Sequence, residues 1–481
     1  MTKELVRALL VGALCVPELL AAQGDPVATR VQGGLDTKFA QAECKVEGGD
    51  FRVSSGKTYL KTGLEGSGDP SNRAAALKNG VRVVTEAITS AGQDKSSAAW
   101  YWLGRLYLQE GDLRGADSAF TRTVALTPGC KDEVKRFRIR AWAALVNAGG
   151  NFRKAQQGDS AFLMYRAANQ IYQNAPLAYM NMADMFNTAN QGDSATYYFG
   201  LAAHTTPTDT DEVRLRNQAL FNYGALLLNS GKAADAVAAL RSYVAAEPSD
   251  PSGKKGLAQA FRAAGMTDSA QALERQLVSQ AGVSDSTGQG GALSEEDLMN
   301  IGAKQFGDKN YREAAATFGK VVAANPWNSD AVYDLANAEL GLQDGPGLAK
   351  AADKLIAIEP LYEYAYTMKA QGYKFTANQD SIIQAIVTRE ALPVNLEIQS
   401  FAPSADSPSL TGKATGRDAR DANNRPIPAR PVTVVVEFLG KDAAPVATTE
   451  VTIPALKPGD SAPFTAAAKG AGAVAWRYRV K

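Results

Sequence analysis

Histidine is all but missing from this chain: 481 residues hold one, His204, and only three cysteines. That scarcity rules out a His/Cys zinc site, and a Ser–His–Asp triad would have to be assembled around His204 alone. His204 precedes Pro207 at a helix end, where positive charge is favoured, so it reads as a surface or cap residue. No Gly-x-Ser-x-Gly elbow occurs. Ser55-Gly56-Lys57-Thr58 looks like the end of a phosphate-binding loop, but Phe51 stands where the first glycine is needed, so a helix start is expected. Calcium-loop spacing is absent. Charge of neither sign predominates, 51 Lys and Arg against 50 Asp and Glu, which leaves no basic stripe for nucleic acid and no acidic tail. Beyond the first residues, no segment reaches the run of about 18 apolar residues that a membrane span needs. These absences predict a chain without catalytic, cofactor or metal chemistry.

What is present is a ruler. Trp100, Leu103, Gly104, Tyr107, Ala116, Phe120 and Pro128 are echoed by Tyr179, Met182, Ala183, Phe186, Ala195, Phe199, Ala202 and Pro207. Leu220, Tyr223, Gly224, Leu227, Ala236, Leu240 and Pro248 repeat the pattern, as do Leu298, Ile301, Gly302, Ala314, Phe318, Val321 and Pro326. Pro360 follows Pro326 by 34 residues. Spacings of three and four put Trp100, Leu103, Gly104 and Tyr107 on one helix face. Gly111-Asp112 breaks that face, and Ala116, Phe120 and Val124 restart it on a second helix. Gly104 and Ala116 lie where the two rods would touch, and Pro128 ends the pair. Gly-Asp at 111–112, 158–159 and 192–193 reads as turns in which glycine ends one helix and aspartate caps the next.

This pattern resembles the tetratricopeptide repeat, a helix–turn–helix unit with large residues at positions 4, 7, 11 and 24, small ones at 8, 20 and 27, and proline at 32. The resemblance implies a mainly α chain, an α-solenoid that displays an extended surface to a partner. In that family the inner face of each first helix uses positions 2, 5, 9, 12 and 13. Here those positions give a candidate partner-binding groove of Tyr101, Arg105, Leu108, Met180, Asp184, Asn187, Phe221, Leu228, Asn229, Met299, Phe306, Tyr333 and Asn337. The lysines and asparagines with which some members clamp chaperone carboxylate tails are not repeated, so no such ligand is expected. An extended peptide or a helix suits the apolar, amide-dotted face. Packing against the chain's own N-terminal segment, its β-module or neighbouring helices is the other reading.

Residues 1–24 resemble a bacterial secretory signal: Lys3 and Arg7, an apolar run over 8–16, then small residues ending near Ala22 or Gly24. Cys15 follows Leu14 where a lipid-anchored signal needs a small residue, so no lipid anchor is expected. A periplasmic or secreted chain would keep Cys44 and Cys130, a disulfide candidate in an oxidising compartment; two unrelated buried thiols are the alternative. Residues 25–96 should hold an irregular extension and capping helices near 57–64 and 73–91. A first block of repeats is expected over 97–281, a flexible linker over 282–293 spanning about 17–20 Å, and a second block over 294–390. Whether the blocks form one superhelix is open.

At Leu392-Pro393 the period falls to two. Val394, Leu396 and Ile398, then Val432, Val434, Val436 and Phe438, then Val446, Val451 and Ile453, and finally Val474, Trp476, Tyr478 and Val480 predict a small β-sandwich over 391–481. Residues 432–446, Leu456-Lys-Pro-Gly and Phe464 resemble the FxLYD-like immunoglobulin-type modules of bacterial envelope proteins. A mobile hairpin is expected within 403–430. The sequence thus points to an envelope scaffold that binds an unidentified protein or peptide. The alternative is a surface-polymer or glycan-associated protein whose β-module binds ligand, with the repeats as spacer; it would need aromatics exposed on one β-face, and Trp476 and Tyr478 share a face that reads as core.

Overall fold

Each apolar stripe of the ruler lies on one helix and resumes on the next, so the chain folds as antiparallel helix pairs. A computed structural model describes residues 38–66, 69–280, 283–284 and 293–481. The secretory-type segment 1–24 and most of the linker expected at 282–293 lie outside these residues. The linker's described ends, β1 (Val283–Ser284) and β2 (Leu293–Ser294), pair in parallel. The chain divides into two compact units, 1–247 and 248–481.

The first unit consists of five pairs: α1 (Phe51–Glu65) with α2 (Pro70–Ser90), α3 (Ser97–Glu110) with α4 (Leu113–Leu126), α5 (Lys131–Lys154) with α6 (Gly158–Ile171), α7 (Pro176–Thr188) with α8 (Gly192–Ala203), and α9 (Thr210–Asn229) with α10 (Ala233–Ala246). First helices of neighbouring pairs also touch, α1 with α3 and α7 with α9. The start of α1 precedes the expected residue 57 because the Asp50 carboxylate accepts the N–H groups of Arg52 and Val53 at 2.8 and 3.2 Å. Those amides would otherwise lack partners.

Turn chemistry follows the Gly-Asp reading at 111–112 and departs from it elsewhere. Gly111 takes φ 82°, and Asp112 accepts the Gly115 N–H at 2.9 Å. At the next two turns the left-handed residues are Gln156 and Asn190, with φ 59° and 56°. Gly158 and Gly192 instead open the following helices. Asp159 and Asp193 then sit in the first turn, where the helix dipole favours a carboxylate. His204 caps α8, its Nδ1 donating to the Gly200 carbonyl at 2.6 Å.

Close approach holds each pair together. A Cβ on Gly104 would lie 2.7 Å from the Phe120 ring, one on Gly149 2.5 Å from Tyr165, and one on Gly224 2.5 Å from Leu240. Between α7 and α8 the same positions hold Ala183 and Phe199, both buried.

In the second unit, α11 (Pro251–Ala263) pairs with α12 (Thr267–Gln280), α13 (Glu295–Gly307) with α14 (Tyr311–Ala324), α15 (Ser329–Leu342) with α16 (Gly345–Ile358), and α17 (Glu363–Phe375) with α18 (Gln379–Glu390). A Cβ on Gly302 would come within 2.6 Å of Phe318. Ser294 and Asp297 close a capping box at the start of α13. Arg262 grips buried Glu274 through two hydrogen bonds of 2.9 and 2.7 Å and reaches Asp308 at 2.6 Å, tying α11 and α12 to the end of α13.

Six strands form the C-terminal sandwich: β3 (Val394–Ala402), β4 (Ser409–Gly416), β5 (Val432–Leu439), β6 (Pro445–Ile453), β7 (Ser461–Ala467) and β8 (Ala475–Val480). They make two antiparallel sheets, ordered β3-β4-β7 and β6-β5-β8. Within 403–430, where a mobile hairpin is expected, a strand is also found, and Arg420 and Pro426 pair across a turn. Ser409–Gly416 is the central strand of its sheet, and Asp421 fastens the following turn by accepting from the backbone of Asn423 and Arg425, both at 2.9 Å. Trp476 and Tyr478 are core residues, 6% and 2% exposed. One continuous core runs from Leu298, Val321, Leu355 and Ile358 through Leu361 into Leu396, Val434, Phe438 and Tyr478. Arg417 fixes the same junction, donating to Glu363 at 3.0 and 2.7 Å and to the Leu392 carbonyl at 3.2 Å.

Gly104→Val forces a branched side chain against the Phe120 ring and should destabilise the first unit by about 1–3 kcal/mol. Urea unfolding measures this, and an unchanged midpoint would refute the close approach.

Candidate functional site

In the first unit, the helices of the inner face already carry a polypeptide. Residues 38–49 run across α1, α3 and α5 without secondary structure of their own. Their backbone is recognised by side chains. The Glu133 carboxylate accepts the N–H of Glu43 at 3.1 Å and of Cys44 at 2.8 Å, and it also takes the Tyr101 hydroxyl proton bond at 2.6 Å. Arg105 donates to the Ala40 carbonyl at 2.6 Å. Ser97 accepts from Glu47 N–H at 2.8 Å, and the Glu47 carbonyl receives Ala98 N–H at 3.1 Å. Phe39 stacks on Trp102 with centroids 5.8 Å apart, and the Arg105 guanidinium lies among Phe39, Tyr101, Trp102 and Phe137. A disulfide joins Cys44 to Cys130, at the start of α5. Burial, opposed by Arg105 and reinforced by Glu133, pushes the Tyr101 hydroxyl above its ordinary pKa.

Three candidate groove residues are therefore not available to a partner. Tyr101 and Leu108 are fully buried, and Arg105 is 6% exposed with its guanidinium committed to the covering segment. The repeat register places them on the inner face, but the chain fills that part of the face itself. Met180 is corrected too: it packs into the core with Phe199 and Leu220, because α7 and α9 approach closely at that level.

Further along the first unit, no extended segment among the described residues covers the face. Asn187 and Asn229 are exposed, and Phe221 and Leu228 are half-buried. Phe221 leans on Tyr243 at 5.2 Å. Asp184 is half-buried, and that burial, opposed by Arg153, lifts its carboxyl above the usual range. Arg153 also donates to Asn181 at 3.1 Å.

The second unit presents a different surface. Met299 packs on the core while Phe306, 37% exposed, leans on Tyr311. Asn337 is half-buried on α15. Tyr333 is grouped with Tyr362 and Tyr364, at centroid distances of 6.5 and 6.2 Å. Beside them opens a cleft of about 530 Å³, walled by Trp327, Asp330, Tyr333, Glu359 and Tyr362 on one side and by Glu397–Phe401 and Val474–Trp476 on the other. Glu359 accepts from the Ser329 hydroxyl. Burial raises Glu359 to about 7 against the Ser329 hydrogen bond, with Asp330 adding to the rise. Burial, with help from Asp330, lifts neighbouring Asp334 to about 6. The repeat positions identified Tyr333 but not Glu359, Tyr362 or Glu397, which lie in the inter-repeat turn and on a strand, outside the family's register. The proline at 360, ending one repeat, was the only signal near them.

Residues 97–130 match the tetratricopeptide repeat family. No curated protein matches the chain. Solved structures similar to it include PilW, a widely conserved type IV pilus biogenesis factor, at 20% identity over 50% of this chain and 97% of that one, with a TM-score of 0.29. YrrB, a tetratricopeptide repeat protein with an unusual peptide-binding site, aligns at 14% identity over 52% and 97%, TM-score 0.25. The MamA protein aligns at 15% identity over 44% and 89%, TM-score 0.21.

The bond between Cys44 and Cys130 closes a loop across a separation of 86 residues, which in the chain-entropy description stabilises the first unit by roughly 4–5 kcal/mol. Reduction, or Cys130→Ser, should lower its melting temperature and speed hydrogen exchange over 38–49; unaltered exchange there would contradict the packing described. Glu359 makes a pH prediction. A carboxyl raised from 4.5 to about 7 by folding stabilises the fold fully below its unfolded pKa, and that contribution is lost as pH rises through the folded one. Glu359→Gln should therefore gain stability relative to the parent between about pH 5 and 8. A difference that does not vary with pH would sink the assignment.

Proposed function

We propose that this chain, a tetratricopeptide-repeat solenoid carrying a C-terminal β-sandwich, is a non-catalytic interaction scaffold of the bacterial cell envelope. Its inner helix face takes a partner peptide or helix, and its sandwich is a docked module of the FxLYD-like, immunoglobulin-type kind. One observation carries the reading. The inner face of the first unit already holds an extended segment through main-chain hydrogen bonds to Glu133, Arg105 and Ser97, the mode by which a partner's backbone would be gripped irrespective of its side chains. The face of α7 and α9, with Asn187, Phe221, Leu228 and Asn229, continues the same register and, among the described residues, is not covered in this way.

Envelope placement draws support from the secretory-type first residues and from the Cys44–Cys130 bond, since such bonds persist in oxidising compartments. The glycan-associated reading is disfavoured by the burial of Trp476 and Tyr478, which cannot offer a sugar a stacking face. The carboxylate-clamp class of ligand stays outside the proposal, because the open face lacks the lysines that class requires.

Photocrosslinking residues placed at Asn187 and Asn229 in intact cells test this. A discrete crosslinked protein is expected from both, and none from Tyr197, which is 61% exposed on the second helix of its pair. Identical products from all three positions would remove the groove from consideration.

A further inference from the structure

The cleft of the second unit has three properties that point to the same kind of ligand. Its volume, about 530 Å³, lies between two secondary-structure layers that otherwise share a packed core. One wall is an unpaired sheet edge. β3 pairs with β4 on one side only, and among the described residues its outer side is used once, where Leu396 donates to the Leu361 carbonyl at 2.9 Å. Past that point the strand bulges between Ile398 and Ser400 and faces the cleft from Glu397 to Phe401. Among the described residues, no backbone pairs with this outer side beyond Leu396. Such an edge is a template for another strand.

The second property is charge. Asp330, Glu359 and Glu397 all line the cleft, and among the described residues none of them forms an ion pair. Glu397 stands opposite Lys413 of β4, and Arg477 lies over Trp327 at 4.6 Å and is engaged by Glu437 at 2.7 Å. Asp330 and Glu359 thus share the recess without an ion pair among the described residues, and Glu359, 6% exposed, is desolvated. The third property is the aromatic lining. Tyr333 and Tyr362 border the carboxylates, and tyrosine faces attract a guanidinium or ammonium group.

We propose that this cleft binds an extended, basic segment of a partner protein, its backbone adding to the outer edge of β3 and an arginine or lysine side chain crossing Tyr333 and Tyr362 to reach Asp330 and Glu359. The proposal rests on the reading of the chain as a scaffold but concerns a site separate from the α7 and α9 face. Partner selection at this site is then a matter of charge alternation along a strand: every second side chain of the added segment points toward the helices, and those are the positions that must be basic.

The test uses the full oxidised chain and a short, end-blocked peptide alternating valine and arginine, carrying a fluorophore and followed by anisotropy. Binding is expected. It should weaken about tenfold or more for the Asp330→Asn, Glu359→Gln double variant, whose folding is checked by circular dichroism. It should weaken likewise when the peptide's alternate backbone nitrogens are methylated, which removes strand pairing while keeping charge. A valine–glutamate peptide should not bind. No binding of the arginine peptide, or equal binding to parent and double variant, overturns the proposal. So does displacement by a neutral glucan oligosaccharide, which would assign the cleft to carbohydrate. Tyr197→Ser, at a residue 61% exposed on α8, leaves peptide binding unchanged if the cleft is the site; loss in that variant also overturns it. The crosslinks at Asn187 and Asn229 report on the other face, so the two readings fail separately.

Discussion

Two helices can lie within contact distance only if one of them gives up a side chain at the crossing. Gly104, Gly149, Gly224 and Gly302 do so, and Phe120, Tyr165, Leu240 and Phe318 fill the room they leave. Each pair is apolar on both flanks as a result, since the large residue that occupies the crossing also brings its neighbours toward the next pair. Stacking follows from that exposure, because no single hairpin can bury both flanks alone. The inner face follows in turn: first helices line up along the stack, touching where α1 meets α3 and α7 meets α9, and their remaining side chains form a common surface. Its chemistry is set by what is left after the crossing and the flanks are accounted for.

That ordering explains what could be read from the chain before folding and what could not. Gly104 and Phe120 were legible because both helices of their pair have standard length. Gly149 and Tyr165 obey the same rule but were hidden, because α5 runs from Lys131 to Lys154 and carries the turn out of the expected register. The strand Ser409–Gly416 escaped notice for a different reason. Its inward positions are Leu410, Gly412, Ala414 and Gly416, mostly too small to signal a period of two, yet small enough to lie under Phe464. In the sandwich, the bulky alternation of Val434, Val436 and Phe438 was unmistakable.

Of the site, the register gave positions and the environment decided their use. Tyr101 and Arg105 do face inward, but a segment with no repeat pattern covers them, and nothing in its composition announces where it docks. Met180 was read as surface from its position, whereas the close passage of α7 and α9 makes it core. Glu359 and Tyr362 could not be found by repeat counting, since they belong to the turn after α16, where the last helices meet the sheets. Sites formed by the meeting of unlike architectures leave no periodic trace in either.

The covering segment has an order-of-assembly consequence. Residues 38–49 are made before every helix they rest on, yet Glu133 and Cys130, which hold them, arrive most of a hundred residues later, at a separation of 86 for the two cysteines. Two helical hairpins, α1 with α2 and α3 with α4, are therefore synthesised before the anchors at the start of α5 exist. The covering segment can meet Ser97 and Arg105 on α3 before its disulfide partner and Glu133 are made, so its fastening is completed in steps, the covalent one last.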